Sequence, residues 1–190
     1  PDAAALGKSV KAAIAAGIPV VSMNSGSDDY ASLGISAHVG QTEFEAGVGG
    51  GQKMKAAGGK KALCVNHEVG NVALDRRCAG FKKGFGGSVD ILGTSNDPTE
   101  IQKAVAAKLG GGYDTILTLG AGLSGEAALK ALEAAGKVGN VKLGTFDMSP
   151  NMLKAAAAGK VEFLIDQQQY LQGYLPIAIF AQYMRWGTMP

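Results

Sequence analysis

A chain of 190 residues is long enough for one large domain or two small lobes with a real core. Its 46% hydrophobic and 18% charged residues exclude a disordered chain or a charged-surface binder. The net charge is only +2, with Lys and Arg scattered among acids, so the basic stripe of a nucleic-acid partner is missing.

The elements follow one another in β-α alternation. Ala4 to Ala16 reads as a helix with Leu6, Val10 and Ile14 on one face, ended by Gly17. Ile18 to Met23 is a short continuous apolar strand, as in a parallel sheet covered on both faces, and Asn24 to Gly34 is a polar loop. A helix from Thr42 to Ala57 precedes a strand from Ala62 to Asn66, and a helix from Val72 to Phe85 precedes the strand Val89 to Leu92. Asp97-Pro98-Thr99-Glu100 starts a helix with Pro at its first position; it runs to Leu109, before the strand Thr115 to Leu119. Ser124-Gly125-Glu126 opens a helix ending near Gly136, followed by the strand Val141 to Phe146 and the helix Pro150 to Ala158. A strand from Val161 to Ile165 and a long helix from Tyr170 to Trp186 close the chain. This order predicts an α/β fold of mostly parallel sheet with right-handed crossovers. The length suits two small sheets better than a closed barrel, which takes about 250 residues.

In open α/β sheets ligands gather beyond the carboxyl ends of the strands. Those ends carry Asn24-Ser25, His67 to Asn71, Gly93 to Asn96, Gly120-Ala121-Gly122, Asp147, and Asp166 to Gln169. Amides, hydroxyls and carboxylates with almost no positive charge match a neutral polyhydroxy ligand, because a carboxylate accepts from two hydroxyls at once. Each Asn or Asp alone is equally a turn former or helix cap.

Other chemistry is weaker. Gly120-Ala121-Gly122-Leu123-Ser124-Gly125 has the G-x-G-x-x-G spacing of a dinucleotide site, with Asp147 further on, but it stands in a late βα unit of a glycine-rich chain. Gly49-Gly50-Gly51 weakens its helix by roughly 1 kcal/mol per Gly relative to Ala, and no Lys-Ser or Lys-Thr follows to make a phosphate loop. His67-Glu68 lacks a nucleophile elbow, so no enzyme activity, cofactor or metal is expected. Pro1 to Ala5 has no signal-peptide form, and no apolar run reaches the roughly 18–20 residues of a spanning helix. Cys64 lies on a strand and Cys78 on the helix that folds back across it, so a disulfide is within reach if the Cα atoms lie roughly 4.4–6.8 Å apart. The alternative is two buried free thiols, as in a reducing compartment.

Residues 13–21 running into Asn24-Ser25, Gly70 to Phe81, Gly144 to Asp147, and Asp166 to Tyr174 resemble the type 1 periplasmic binding proteins that serve sugar transporters. The resemblance runs along essentially the whole chain. It implies two flavodoxin-like, doubly wound parallel-sheet lobes joined by a hinge, with a sugar or polyol clamped between them for the membrane permease of an ABC transporter. A periplasmic or lipid-anchored extracytoplasmic location follows from it. On this reading residues 1–40 with 168–190 form the first lobe and residues 41–167 the second. Asn24 resembles the first-lobe hydroxyl ligand, Asp147 the sugar-binding aspartate, and Gln167 the hinge-side glutamine. Asp75 falls where many relatives place a sugar-contacting arginine, and Asn71 is near enough to the second-lobe cleft to be a candidate. Gly120-Ala121 replaces a polar residue of the family. Relatives begin with a long segment, carrying ring-stacking aromatics, that this chain lacks, so the first lobe is expected to be incomplete. Such a lobe leaves apolar surface uncovered, expected at Ile14, Val20 and the face of the helix from Tyr170 to Trp186. The effector-binding core of a LacI-type transcription regulator shares the fold and is the alternative.

Overall fold

The computed structural model describes residues 3–189. In chain order the elements are α1 (Ala3–Ala15), β1 (Val21–Asn24), β2 (Ala37–Gly40), α2 (Glu43–Ala56), β3 (Lys61–Asn66), α3 (Val72–Phe85) and β4 (Ser88–Gly93). Then come α4 (Pro98–Lys108), β5 (Thr115–Thr118), α5 (Glu126–Ala134), β6 (Lys142–Phe146), α6 (Pro150–Ala157), β7 (Phe163–Ile165) and α7 (Gln169–Trp186). They form two compact units, Pro1–Glu43 with Gln167–Pro190, and Phe44–Asp166.

The second unit is a five-stranded parallel sheet in the order β4-β3-β5-β6-β7. Its central strands β3, β5 and β6 are buried on both faces, as a sheet covered on both sides requires, while the edge strand β4 is largely exposed. Leu63, Val65, Ile116 and Leu143 face one core with Ile101, Val105, Leu132 and Met152. Ala62, Cys64, Leu117, Leu119 and Phe146 face the other, with Met54, Leu74, Phe81 and Phe85. On that side α2 and α3 approach backbone to backbone. A Cβ at Gly80 would lie 2.0 Å from the Phe44 carbonyl oxygen, one at Gly84 2.0 Å from that of Val48, and one at Gly51 2.4 Å from that of Phe81. Of the glycines that weaken α2 as an isolated helix, Gly51 allows this packing together with Gly80 and Gly84 of α3, whereas Gly49 meets nothing. Cys64 and Cys78 form a disulfide, with Cα atoms 5.9 Å apart.

The first unit has two parallel strands, with Val21 opposite Ala37 and Asn24 opposite Gly40, and the helices α1 and α7. Gly17 (φ 77°) ends α1: its N–H donates to the Ile14 carbonyl and that of Ile18 to the Ala13 carbonyl, the paired closure that a left-handed residue permits. The strand β2 was not foreseen. Ala37-His38-Val39-Gly40 holds a single β-branched residue and is a strand only through its pairing with β1. The expected exposure on α7 is present, at Tyr170, Tyr174, Ile177, Met184 and Trp186. Ile14 and Val20 are instead half-buried: Ile14 packs by Gly34, and the Val20 carbonyl accepts from the Ser36 N–H. An apolar groove of about 290 Å³ runs between α1 and β1, lined by Leu6, Val10, Val21, Met23, Tyr30 and Leu33 among others.

Candidate functional site

In the second unit the strand order changes direction between β3 and β5: β3 continues outward to β4, while β5 starts the run to β7. Such a switch point splays the crossovers apart and opens a crevice at the strands' carboxyl ends. The residues there are Asn66 at the end of β3 with His67 following it, Gly120 after β5 and Asp147 after β6.

Asp147 is held in the left-handed region, at φ 66°. Its N–H donates to the Ile165 carbonyl. Two residues on, Ser149 caps α6 by accepting from the Met152 N–H and donates to Glu126 at 2.7 Å. The Ser149 bond, and after it one that the Asn151 amide donates to the same carboxylate, lower the Glu126 pKa below its ordinary value. A left-handed Asp is tolerated better than most residues, yet the conformation is unfavourable by about 1 kcal/mol or more. The surrounding bonds impose it, and it places the carboxylate beside Gly120: Oδ2 lies 3.7 Å from where a Cβ at Gly120 would stand.

His67 also lies against Gly120, its Cε1 3.1 Å and Nε2 3.5 Å from that same point. Its Nδ1 is 3.3 Å from the Ser124 hydroxyl. Burial lowers the His67 pKa; Glu68 raises it, Arg77 lowers it and Asp147 raises it by smaller amounts. Buried Arg77 donates to the Leu119 carbonyl at 3.0 Å and stacks over the Phe146 ring. The Gly120–Gly125 spacing has a packing explanation. The segment is a wide helical turn closed by Gly125 N–H to the Gly120 carbonyl, and a Cβ at Gly125 would press on Thr145 and Met152.

Two other expected residues stand just behind this opening. Asn71 caps α3, its Oδ1 accepting from the Ala73 N–H while its Nδ2 donates to Glu68. Asp75 accepts from the buried Asn66 amide at 2.8 Å, and Asn66 Oδ1 accepts from the Glu68 N–H. Both therefore shape the loop that carries His67.

In the first unit Asn24 is likewise left-handed (φ 64°) at the end of β1, and donates to Gln172 Oε1 at 3.0 Å. Gln172 Nε2 donates to the Gln167 carbonyl. Gln167 Oε1 accepts from Gln41, which also donates to Glu43. Asn24 and Gln167, far apart in sequence, thus share one amide network through Gln172. The sequence places His67 at a strand end as a polar lining residue, and Arg77 and Gln172 lie inside the segments that carry the family resemblance without being marked as site residues. Among the described residues no cluster of His, Cys, Asp and Glu is placed to hold a metal, and no helix is long and apolar enough to cross a membrane.

A two-unit parallel α/β fold with polar groups collected at strand ends is the architecture of a solute-binding protein. The sequence matches the periplasmic binding protein domain over residues 1–188, and the chain belongs to that family. It is similar to a carbohydrate transporter from Acidothermus cellulolyticus 11B, solved in complex with myo-inositol, at 34% identity and TM-score 0.93. That match covers 100% of this chain and 66% of that one, so this chain spans just under two thirds of its length. The periplasmic sugar-binding protein of an ABC sugar transporter from Legionella pneumophila shares the fold at 24% identity and TM-score 0.85, over 100% of this chain and 73% of that one. So does a periplasmic solute-binding protein from Actinobacillus succinogenes 130z with bound D-allose, at 20% identity and TM-score 0.78, over 98% and 69%. These are binding proteins for transport, not enzymes. No curated protein matches the sequence.

Proposed function

We propose that the protein reversibly binds a neutral sugar or polyol outside the cytoplasm and delivers it to the permease of an ABC transporter. The observation that carries this reading is the strained Asp147 beside Gly120 at the switch point of the five-stranded sheet. A carboxylate fixed there accepts charge-assisted hydrogen bonds from two neighbouring hydroxyls. Asn24 and Gln167 are the ligand groups proposed for the first unit, where the amide network holds them. Asn71 and Asp75 act on the ligand through the loop they brace. The disulfide supports an oxidising compartment, and the neighbour bound to myo-inositol supports a polyol. The test is calorimetric titration of the full-length protein with pentoses, hexoses and inositols. Saturable binding of one of them is expected; no binding across the panel removes the proposal's main support.

A further inference from the structure

Gly120 has no side chain, and the His67 ring takes the room above it, facing the same opening as Asp147. The Ser124 hydroxyl lies 3.0 Å from the Gly120 carbonyl and 3.3 Å from His67 Nδ1. A hydroxyl has one proton. The distances admit the tautomer in which the hydroxyl proton goes to the carbonyl, which also accepts from the Ser124 and Gly125 N–H groups, and the oxygen accepts from Nδ1–H, leaving Nε2 an acceptor. The charged groups facing the ring are Glu68 on its own loop, Arg77 on α3 and Asp147 after β6. Burial outweighs the two carboxylates and lowers the pKa, so the ring is neutral at neutral pH.

We infer that His67 is a specificity-determining ligand residue, whose Nε2 accepts a proton from a sugar or polyol hydroxyl and makes capture acid-sensitive. This deepens the binding reading above and rests on it. Nε2 and the Asp147 carboxylate are both acceptors, so together they select a ligand that presents hydroxyl donors and reject one that presents phosphate or carboxylate there. Protonation turns Nε2 into a donor and sets a cation beside Asp147, which then satisfies the carboxylate in place of the ligand. Binding therefore favours the neutral ring, and in acid it releases the proton from the imidazolium.

The experiment is calorimetric titration of the full-length protein with myo-inositol, D-ribose and D-allose at about pH 7.5 and about pH 5, in buffers of different ionisation heat. For the sugar that binds, the affinity of the unmodified protein is expected to fall severalfold in acid, by less than about thirtyfold since the ring's pKa lies below its ordinary value, with proton release on binding. His67→Gln should bind with an affinity that does not change with pH and with no proton release. An affinity equal at both pH values, or a His67→Gln variant that keeps the original profile, overturns the inference. Imidazole NMR of the unmodified protein checks it without a variant: added sugar should lower the His67 pKa further, and an unmoved pKa overturns it. If none of the three sugars binds at the higher pH, the binding reading fails and this inference falls with it. A sugar that binds with no pH dependence defeats the role of His67 alone.

Discussion

The two units are built from the same β-α alternation but bury it differently. Among the described residues, the buried hydrophobic side chains of the core, from Met54 to Val161, lie in Phe44–Asp166, Pro176 of α7 aside. In the other unit Leu6, Ile18, Met23, Tyr170, Ile177, Met184 and Trp186 stand exposed, and the buried side chains of α7 are Gln172 and Pro176. Five strands cover helices on both faces, whereas two parallel strands offer too little sheet to bury α1 and α7. Helical periodicity alone therefore does not decide burial; the number of strands beneath a helix does. The candidate groups follow the same division. In the larger unit the site sits on a rigid core, and in the smaller it is held by an amide network.

The comparison is broken most sharply at Gly80. Gly80→Ala forces a methyl into the Phe44 carbonyl and should destabilise the protein by about 3 kcal/mol or more, read from the urea midpoint. Replacing Cys64 and Cys78 together with Ala should cost about 3 kcal/mol, since the bond closes a loop across 14 residues of the larger unit. A loss under about 1 kcal/mol would mean that α3 is held by packing alone. In the smaller unit the same type of change has the opposite sign. Gly173 lies exposed within α7, with nothing near its missing Cβ, so Gly173→Ala should stabilise by about 0.5–1 kcal/mol. The smallest effect is acid sensitivity. Burial lowers the pKa of His38 in one unit and His67 in the other. The unfolded chain takes up these protons near about pH 6.5 and the folded rings only at lower pH, so stability should decline as pH falls below about 6.5. His67→Gln and His38→Gln should each flatten part of that decline in the thermal midpoint.

Much of the fold was legible in particular runs. The strand Ala62 to Asn66, the Asp97-Pro98 helix start and the Gly17 stop all read correctly because their chemistry is local. The pairing of β2, the wide turn at Ala121–Gly125 and the glycine contacts of α2 with α3 depend on partners distant in sequence. The site divides the same way. Asp147 was visible as an acid just past a strand, but strand order is not written in periodicity. That order is what brings the ends of β3, β5 and β6 together and sets His67 against Gly120.

The most direct test of the account is titration of Asp147→Ala in the full-length protein with the sugar or polyol that the unmodified protein binds. Losing a charge-assisted hydrogen bond costs about 1.5–3 kcal/mol, so affinity should fall about tenfold to a hundredfold or more. The thermal midpoint should fall by only about 2–4 °C, because Ala tolerates φ 66° less well than Asp while a half-buried strand-end residue supports little packing. Equal affinity in the two proteins would contradict the placement of the ligand at this switch point.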